Sequence, residues 1–457
     1  MNYSSNYYER EIHDQDFLPS GRFPTNHVKF APVLKPIQWM DNIFRFFGTK
    51  AFKKTDDVLK AFDSASPFDK NLGTSDDLKQ LRNLVQSYSE GIDNNPFLSS
   101  IGRYIIHGIT IKFLQTRKDV LEYYHRNKEF IENNGKLAAP VVITGMPRSG
   151  TTLLHRLMSE DPNTRSPYTF EMDFPLPPMT SEMEDPLNDP RIKNYNVGVK
   201  VLSRLMPGFF EKLAESHLLA ATEKEESLMY MSLHNGVNVM NSSNAGKIFI
   251  DELVNNEGTR PILRYERMFF TMLDAFRPAK SHWTLKAPIY ASLLPQVFET
   301  YPDLKIVLTH RNPMTTLPSV CRLLESWCIA FDEDGSFDKF SFAPFVKPFI
   351  DLCIDVPFAF RKEHPEKEEQ IFDCRYETLF SDPISVVKEI YAKFDLRYTK
   401  EFEKRMRVYL ENNKQGKHGR HRYSLEEYGL DKKVLYKEYR QYMEHYGYGN
   451  LEKTKVN

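Results

Sequence analysis

The chain predicts an α/β fold: a parallel sheet flanked by helices, preceded by a helical N-terminal extension. Three observations carry this. Short apolar runs with β-branched residues recur at Pro140-Val-Val-Ile-Thr, Trp283-Thr-Leu-Lys, Lys305-Ile-Val-Leu-Thr and Gln370-Ile-Phe-Asp-Cys. Helical spacing separates them, as in Leu153, Leu154, Leu157 and Met158 and again over 293–300 and 316–327. Strands alternating with helices in this way imply a parallel sheet buried on both faces. Before the first strand the pattern is helical alone, with Ile37, Met40, Ile43, Phe44 and Phe47, then Leu81, Leu84 and Tyr88, at steps of three and four.

Taken in order, residues 1–30 are polar, lack periodicity and are assigned no chemistry. Trp39, Phe44, Phe46 and Phe47, followed by Lys50, Lys53 and Lys54, fit a helix packed on its own domain better than one lying in a membrane interface. The chain divides into an arm and helical extension, residues 1–135, and an α/β domain, residues 136–457. Two stretches, 174–190 and 331–344, read as loops, and loops of that length often cover a site. In the second, Phe331, Phe337, Phe340, Phe342 and Phe345 recur among Asp332, Glu333, Asp334 and Gly335. They are expected either to fold over an apolar acceptor cleft or to pack on the helical layer.

Composition narrows the function classes. The 457 residues carry 61 Lys plus Arg against 62 Asp plus Glu, a formal charge of -1, which argues against a protein that coats nucleic acid or an anionic membrane. Any basic site is therefore local. Cys321, Cys328, Cys353 and Cys374 have neither zinc spacing nor the look of a disulfide framework, so a reducing compartment is expected. No run approaches the ~18 apolar residues of a transmembrane helix, and the N-terminus lacks the pattern of a secretory leader. A cytoplasmic protein is the expectation.

The chemistry begins at Gly145-Met-Pro-Arg-Ser-Gly-Thr-Thr, which follows a predicted strand and opens a predicted helix. In that context backbone N–H groups and a helix N-terminus cradle an anion, as in a P-loop. Gly145 and Gly150 have the nucleotide-loop spacing, yet Thr151 stands where a nucleotide hydrolase has its Lys. A P-loop kinase is disfavoured on that ground. Arg148 instead offers a planar fork of donors suited to a bridging phosphate and its terminal group.

The run 140–162, containing VVITGMPRSGTTLLHRLMSEDP, resembles the 5′-phosphosulfate loop of sulfotransferases that use 3′-phosphoadenylyl sulfate (PAPS), in their bacterial-type and related eukaryotic branch. A second block is similar too: Trp283-Thr-Leu-Lys-Ala-Pro, then Lys305-Ile-Val-Leu-Thr-His-Arg-Asn-Pro, then Pro318-Ser319. A third, Arg375-Tyr-Glu-Thr-Leu-Phe-Ser-Asp-Pro, resembles the family's segment near the adenine, and KQGKHGRHRYSLEEYGL, residues 414–430, resembles its closing stretch. The likeness runs from about 140 to 445.

The resemblance implies PAPS as sulfuryl donor, no metal, and a small, lipophilic or aromatic acceptor with a hydroxyl or amine. It implies donor contacts from Gly145, Arg148, Ser149, Gly150, Thr151, Thr152 and Tyr376, with Arg311 and Ser319 together on the 3′-phosphate. Lys286, at a strand end, would join Arg148 at the bridging oxygen. Lys414, Lys417, Arg420 and Arg422, among glycines, read equally as a basic loop closing on the same phosphate and as a solvated run.

For the general base the candidates are Glu171, expected where a second strand ends, and His217, followed by Glu223, Glu225 and Glu226 on what reads as one helix. Glu171 reads equally as a helix cap or ion-pair partner, and His217 as a satisfied core histidine. One departure matters: the branch commonly has Leu-Lys-Ser-Pro-x-His, whereas Tyr290 occupies that His position here. The competing class is a non-catalytic nucleotide-binding or scaffold protein that keeps the fold, but Arg148, Lys286 and Arg311 are all present. A homodimer is compatible with the sequence.

Overall fold

The computed structural model describes residues 31–36, 39, 54–137, 139–207, 220–254, 258–328, 331, 342–413 and 424–449. The interfacial-helix candidate, apart from Trp39 and Lys54, lies outside them, as do His217, Phe337, Phe340 and the four basic residues near 420.

The N-terminal layer comprises α1 (Thr55–Asp63), α2 (Ser75–Asn94), α3 (Ser100–Arg126) and α4 (Lys128–Asn134). Helix α2 starts where Thr74 and Asp77 form a reciprocal capping box, satisfying two otherwise orphan amides. It buries Leu81, Leu84, Val85, Tyr88 and Ile92 along one stripe. Ser99 caps α3 by accepting the Gly102 N–H.

The α/β part opens with β1 (Val141–Gly145), α5 (Thr151–Met158) and α6 (Thr169–Asp173), then α7 (Arg191–Leu205), α8 (Ser227–His234), α9 (Ser242–Val254) and α10 (Thr259–Phe276). After these come β2 (Thr284–Lys286), α11 (Leu294–Thr300), β3 (Lys305–His310), α12 (Pro313–Cys328) and α13 (Ala343–Glu363). The chain continues through β4 (Ile371–Arg375), α14 (Tyr376–Ser381), α15 (Pro383–Lys393), α16 (Lys400–Asn412), α17 (Lys432–Glu438) and α18 (Arg440–His445).

The four strands form one parallel sheet in the order β2-β1-β3-β4. Val142 stands beside Leu285 and Ile306, and Ile306 beside Ile371, so the first strand in sequence lies inside the sheet. All five residues of β1 are buried, as strands covered on both faces require. Each of the four apolar runs therefore forms a strand. The C-terminal ends of β1, β2, β3 and β4 project to one edge, where open α/β sheets place their ligands.

One apolar core joins the helical layer to the sheet, with Val58, Leu81 and Leu114 in the same cluster as Leu285, Ile306 and Leu308. Two expectations change. No strand forms between β1 and β2 among the described residues: the chain makes a single parallel bridge, Arg165 to Trp283, and Glu171 sits on the short helix α6. Of the rings near 340, Phe331 and Phe342 are buried in the main core, and the Phe331 carbonyl accepts both the amide and the hydroxyl of Ser99. These two pack against the N-terminal layer and the core, and α13 begins at Ala343, inside the stretch read as loop.

Candidate active site

The loop from β1 to α5 has a backbone that its sequence explains. Gly145 has φ 135° and Gly150 φ 93°, in the region where only glycine is at ease. A Cβ on Gly145 would meet the Thr309 carbonyl oxygen at 2.3 Å, and one on Gly150 would meet Leu379 and the Tyr376 ring at 3.0 and 3.1 Å. Arg148 also holds a left-handed conformation, φ 68°, uncommon for a residue with a side chain and characteristic of functional loops. Ser149 is tied inward, its hydroxyl 2.5 Å from both the Met146 carbonyl and the Thr309 hydroxyl. The loop is a cradle whose floor is β3.

Arg148, Arg311 and Ser319 meet. The Arg148 Nε donates to Ser319 Oγ at 3.3 Å, and Arg311 Nη1 donates to the Arg148 carbonyl at 2.7 Å. Arg311 follows β3 directly, and Ser319 is the seventh residue of α12. The Arg311 guanidinium lies 4.1 Å above the Tyr376 ring, a cation–π contact that orients its fork. Tyr376, at the start of α14, thereby touches both Arg311 and the space beside Gly150.

Lys286 ends β2 and is only 2% exposed, which corrects any picture of a solvated strand-end lysine. Its ammonium lies 3.5 Å from Thr152 Oγ1 and 3.6 Å from a carboxylate oxygen of each of Glu225 and Glu226. These two acids do not lie on a helix with Glu223. The chain there is extended, with Lys224 bridged to Tyr168, and α8 begins at Ser227 after Glu226. His155 on α5 is buried beneath the loop, and burial, aided by the Lys286 charge, draws it down to about 3, so the ring is neutral. Lys224, partly buried, is drawn down to about 7, chiefly by desolvation.

Glu171 is placed differently from the expectation. It has no exposed surface, Arg165 Nη2 donates to its Oε1 at 2.7 Å, and the Tyr168 amide donates to its Oε2 at 3.2 Å. Both oxygens are engaged in starting α6 and pairing a guanidinium that stacks 4.5 Å from the Trp283 ring. Its surroundings are those of a structural ion pair. Glu225 and Glu226, which sequence reasoning named only as part of a helical pattern, stand instead beside Lys286. Two adjacent acids just before the wholly buried helix Ser227–His234 were the signal available for them.

Tyr290, also fully buried, donates its hydroxyl to Glu266. Among the described residues no group of three or more His, Cys, Asp or Glu is arranged for a metal ion. Nor is any described helix long and apolar enough to cross a membrane.

The edge of the sheet thus presents two guanidinium groups and a serine on one side of a glycine-bounded loop, and a buried ammonium with two carboxylates on the other. No curated protein matches the chain. Among solved structures it is similar in fold to sulfotransferase STF9 from Mycobacterium avium, with a TM-score of 0.73 at 22% identity over 85% of this chain and 96% of that one. It is likewise similar to sulfotransferase STF1 from Mycobacterium tuberculosis H37Rv, with a TM-score of 0.67 at 21% identity over 84% of this chain and 98% of that one. Residues 140–400, which contain every element of the loop, the strand ends and the Lys286 cluster, match the model of the sulfotransferase family, and the chain belongs to that family.

Proposed function

We propose that the chain moves a sulfuryl group from PAPS to a hydroxyl, or an amine, of a small lipophilic or aromatic acceptor. The observation that carries the reading is the linked set Arg148, Arg311 and Ser319 beside a loop that has Thr151 where a nucleotide hydrolase has Lys. Separate donors of this kind suit a substrate with phosphates at two ends, and glycine at 145 and 150 lets the loop backbone pack against Thr309, Leu379 and Tyr376 where a Cβ would collide.

PAPS supplies a sulfuryl group on a phosphate oxygen, and the protein's residues act around the exchange of that S–O bond for one to the acceptor. Arg148, the amides from Ser149 to Thr152 and the Thr151 and Thr152 hydroxyls stabilise charge as it grows on the departing phosphate oxygen. Lys286, buried and 3.5 Å from Thr152, adds a further donor there, held between Thr152 and the carboxylates of Glu225 and Glu226. Arg311 and Ser319 hold the 3′-phosphate, with Tyr376 beside the adenine. For the base we favour Glu226 over Glu171, because Glu226 is the partly exposed member of the pair beside Lys286 whereas both oxygens of Glu171 are bound. The acceptor's proton passes to that carboxylate as the new S–O bond forms.

Incubation with sulfur-labelled PAPS and a metabolite extract, followed by mass spectrometry of labelled products, tests this. A product labelled by the parent and lost in Arg148→Ala supports the proposal. Absence of both transfer and binding of the 3′,5′-bisphosphate overturns it.

A further inference from the structure

Behind Lys286 lies a carboxyl that the proposed reaction does not use. Glu266, in the middle of α10, has no exposed surface, and its Oε2 accepts the hydroxyl of the equally buried Tyr290. Its Oε1 has no hydrogen-bond partner among the described residues, and the charge that faces it is the carboxylate of Glu226. A carboxyl desolvated in this way, facing an anion, is far more stable uncharged than ionised.

The contacts of this group lead to the site from two directions. Tyr290 lies on the turn that follows β2, where the Ala287 amide donates to the Ile143 carbonyl at 3.0 Å and Thr144 Oγ1 to the Pro288 carbonyl at 3.1 Å. Ser227, the first residue of α8, faces Glu266 and donates to the Lys286 carbonyl at 3.4 Å. One buried acid therefore abuts the turn that follows Lys286 and the helix start that follows Glu226.

We propose that Glu266 is a positioning residue for the Lys286 and Glu226 pair: it holds the turn after β2 through the Tyr290 hydroxyl and lies against Ser227, whose own hydroxyl ties the start of α8 to the Lys286 carbonyl. The inference rests on reading Lys286 and Glu226 as members of the reaction site. It also gives Tyr290 a role that an imidazole would fill differently, since a neutral hydroxyl donates to a neutral carboxyl without placing a titrating cation beside it. The groups facing Glu266 are Tyr290 from the turn, Ser227 and Glu226 from α8 and its approach, and Tyr301 after α11, with Lys286 beyond Glu226. Burial, reinforced by Glu226, pushes Glu266 up to about 8. Above that pH a second negative charge appears behind the pair, and the arrangement loosens.

Two measurements on the full chain decide the matter. Infrared titration of the parent against Glu266→Gln should show a protonated-carboxyl band at pH 7 that is missing from the variant and disappears with a midpoint near 8. Adding the 3′,5′-bisphosphate should raise that midpoint, because a nearby anion disfavours the second charge. Turnover with PAPS, using 2-naphthol as probe acceptor, should fall in the parent near the midpoint read with bisphosphate bound, and PAPS binding should weaken over the same range, since the coupling between anion and carboxylate is reciprocal. Glu266→Gln should lose this alkaline fall while keeping pH 7 turnover within about three-fold, and Tyr290→Phe should lower kcat about ten-fold, as expected for a buried group left without its partner. A missing band in the parent at pH 7, a midpoint indifferent to bisphosphate, or an alkaline fall retained in Glu266→Gln overturns the inference. Failure to bind bisphosphate at all is a separate result that removes the sulfotransferase reading.

Discussion

Arg311 donates to the backbone carbonyl of Arg148 across 2.7 Å, so the strand end that would grip one phosphate also braces the loop that would grip the other. The two halves of donor binding are mechanically joined. Beyond the loss of this brace, which any donor in the loop would share, Arg311→Ala should weaken PAPS about ten- to a hundred-fold through its 3′-phosphate, the scale of a lost charge-assisted bond. Adenylyl sulfate, which lacks the 3′-phosphate, should be weakened much less in the same calorimetric titration. Equal losses for the two donors would remove Arg311 from the 3′ end.

Metal removal should leave donor binding intact. The loop offers Arg148, threonine hydroxyls and amides to an anion, and Lys286 supplies a further cation within 3.5 Å of Thr152. Titration with the 3′,5′-bisphosphate in EDTA should give saturable heat of the same size as without it. An absolute need for Mg²⁺ would contradict this reading of the loop.

The two glutamates should separate cleanly. Glu226→Gln is expected to reduce turnover about a hundred-fold or more, the usual scale of a lost general base, with bisphosphate affinity kept. Glu171→Gln should do the opposite, lowering the melting temperature because Arg165 is left as an uncompensated charge beside Trp283. Turnover lost in Glu171→Gln at unchanged melting temperature would return the base to α6.

Acid should destabilise the fold through its buried histidines. His155 and His234 are drawn down to about 3 and His282 to about 4, all mainly by desolvation. A depressed histidine contributes stability that is complete above its unfolded value near 6.5 and is lost as pH falls toward the folded value. Melting temperature should decline steadily from pH 6.5 downward, and His155→Asn should flatten that slope. A melting curve indifferent to pH between 7 and 4 would show that these rings protonate freely in the native state.

Much of this was legible because parallel strands announce themselves locally. Val141 to Thr144 and Ile306 to Leu308 are continuous apolar runs, and the glycines at 145 and 150 mark turns whose φ values forbid larger residues. The pairing of Arg311 with Ser319 follows from one strand-to-helix corner. What the sequence concealed were partnerships across long separations. Glu171 looked catalytic until Arg165, held against Trp283 from far along the chain, claimed its carboxylate. Glu225 and Glu226 looked like one face of a helix because acidic runs carry no sign of extended backbone. The position of β1 inside the sheet was equally hidden, since a parallel strand contains nothing that names its neighbours.

The Tyr376 ring has a consequence of its own. It lies 4.1 Å from the Arg311 guanidinium, and its edge is close enough to Gly150 that a Cβ there would come within 3.1 Å of the ring. If the proposed donor binds in this way, this rigid aromatic plate would stand between the grip on one end of a bisphosphate and the cradle for its other end. It would then act as a caliper: ligands whose two anionic ends lie closer together or farther apart than the plate allows would satisfy one grip only. Discrimination by length would then be built into the width of one side chain, and Tyr376→Leu would relax it without removing any of the charges that do the holding.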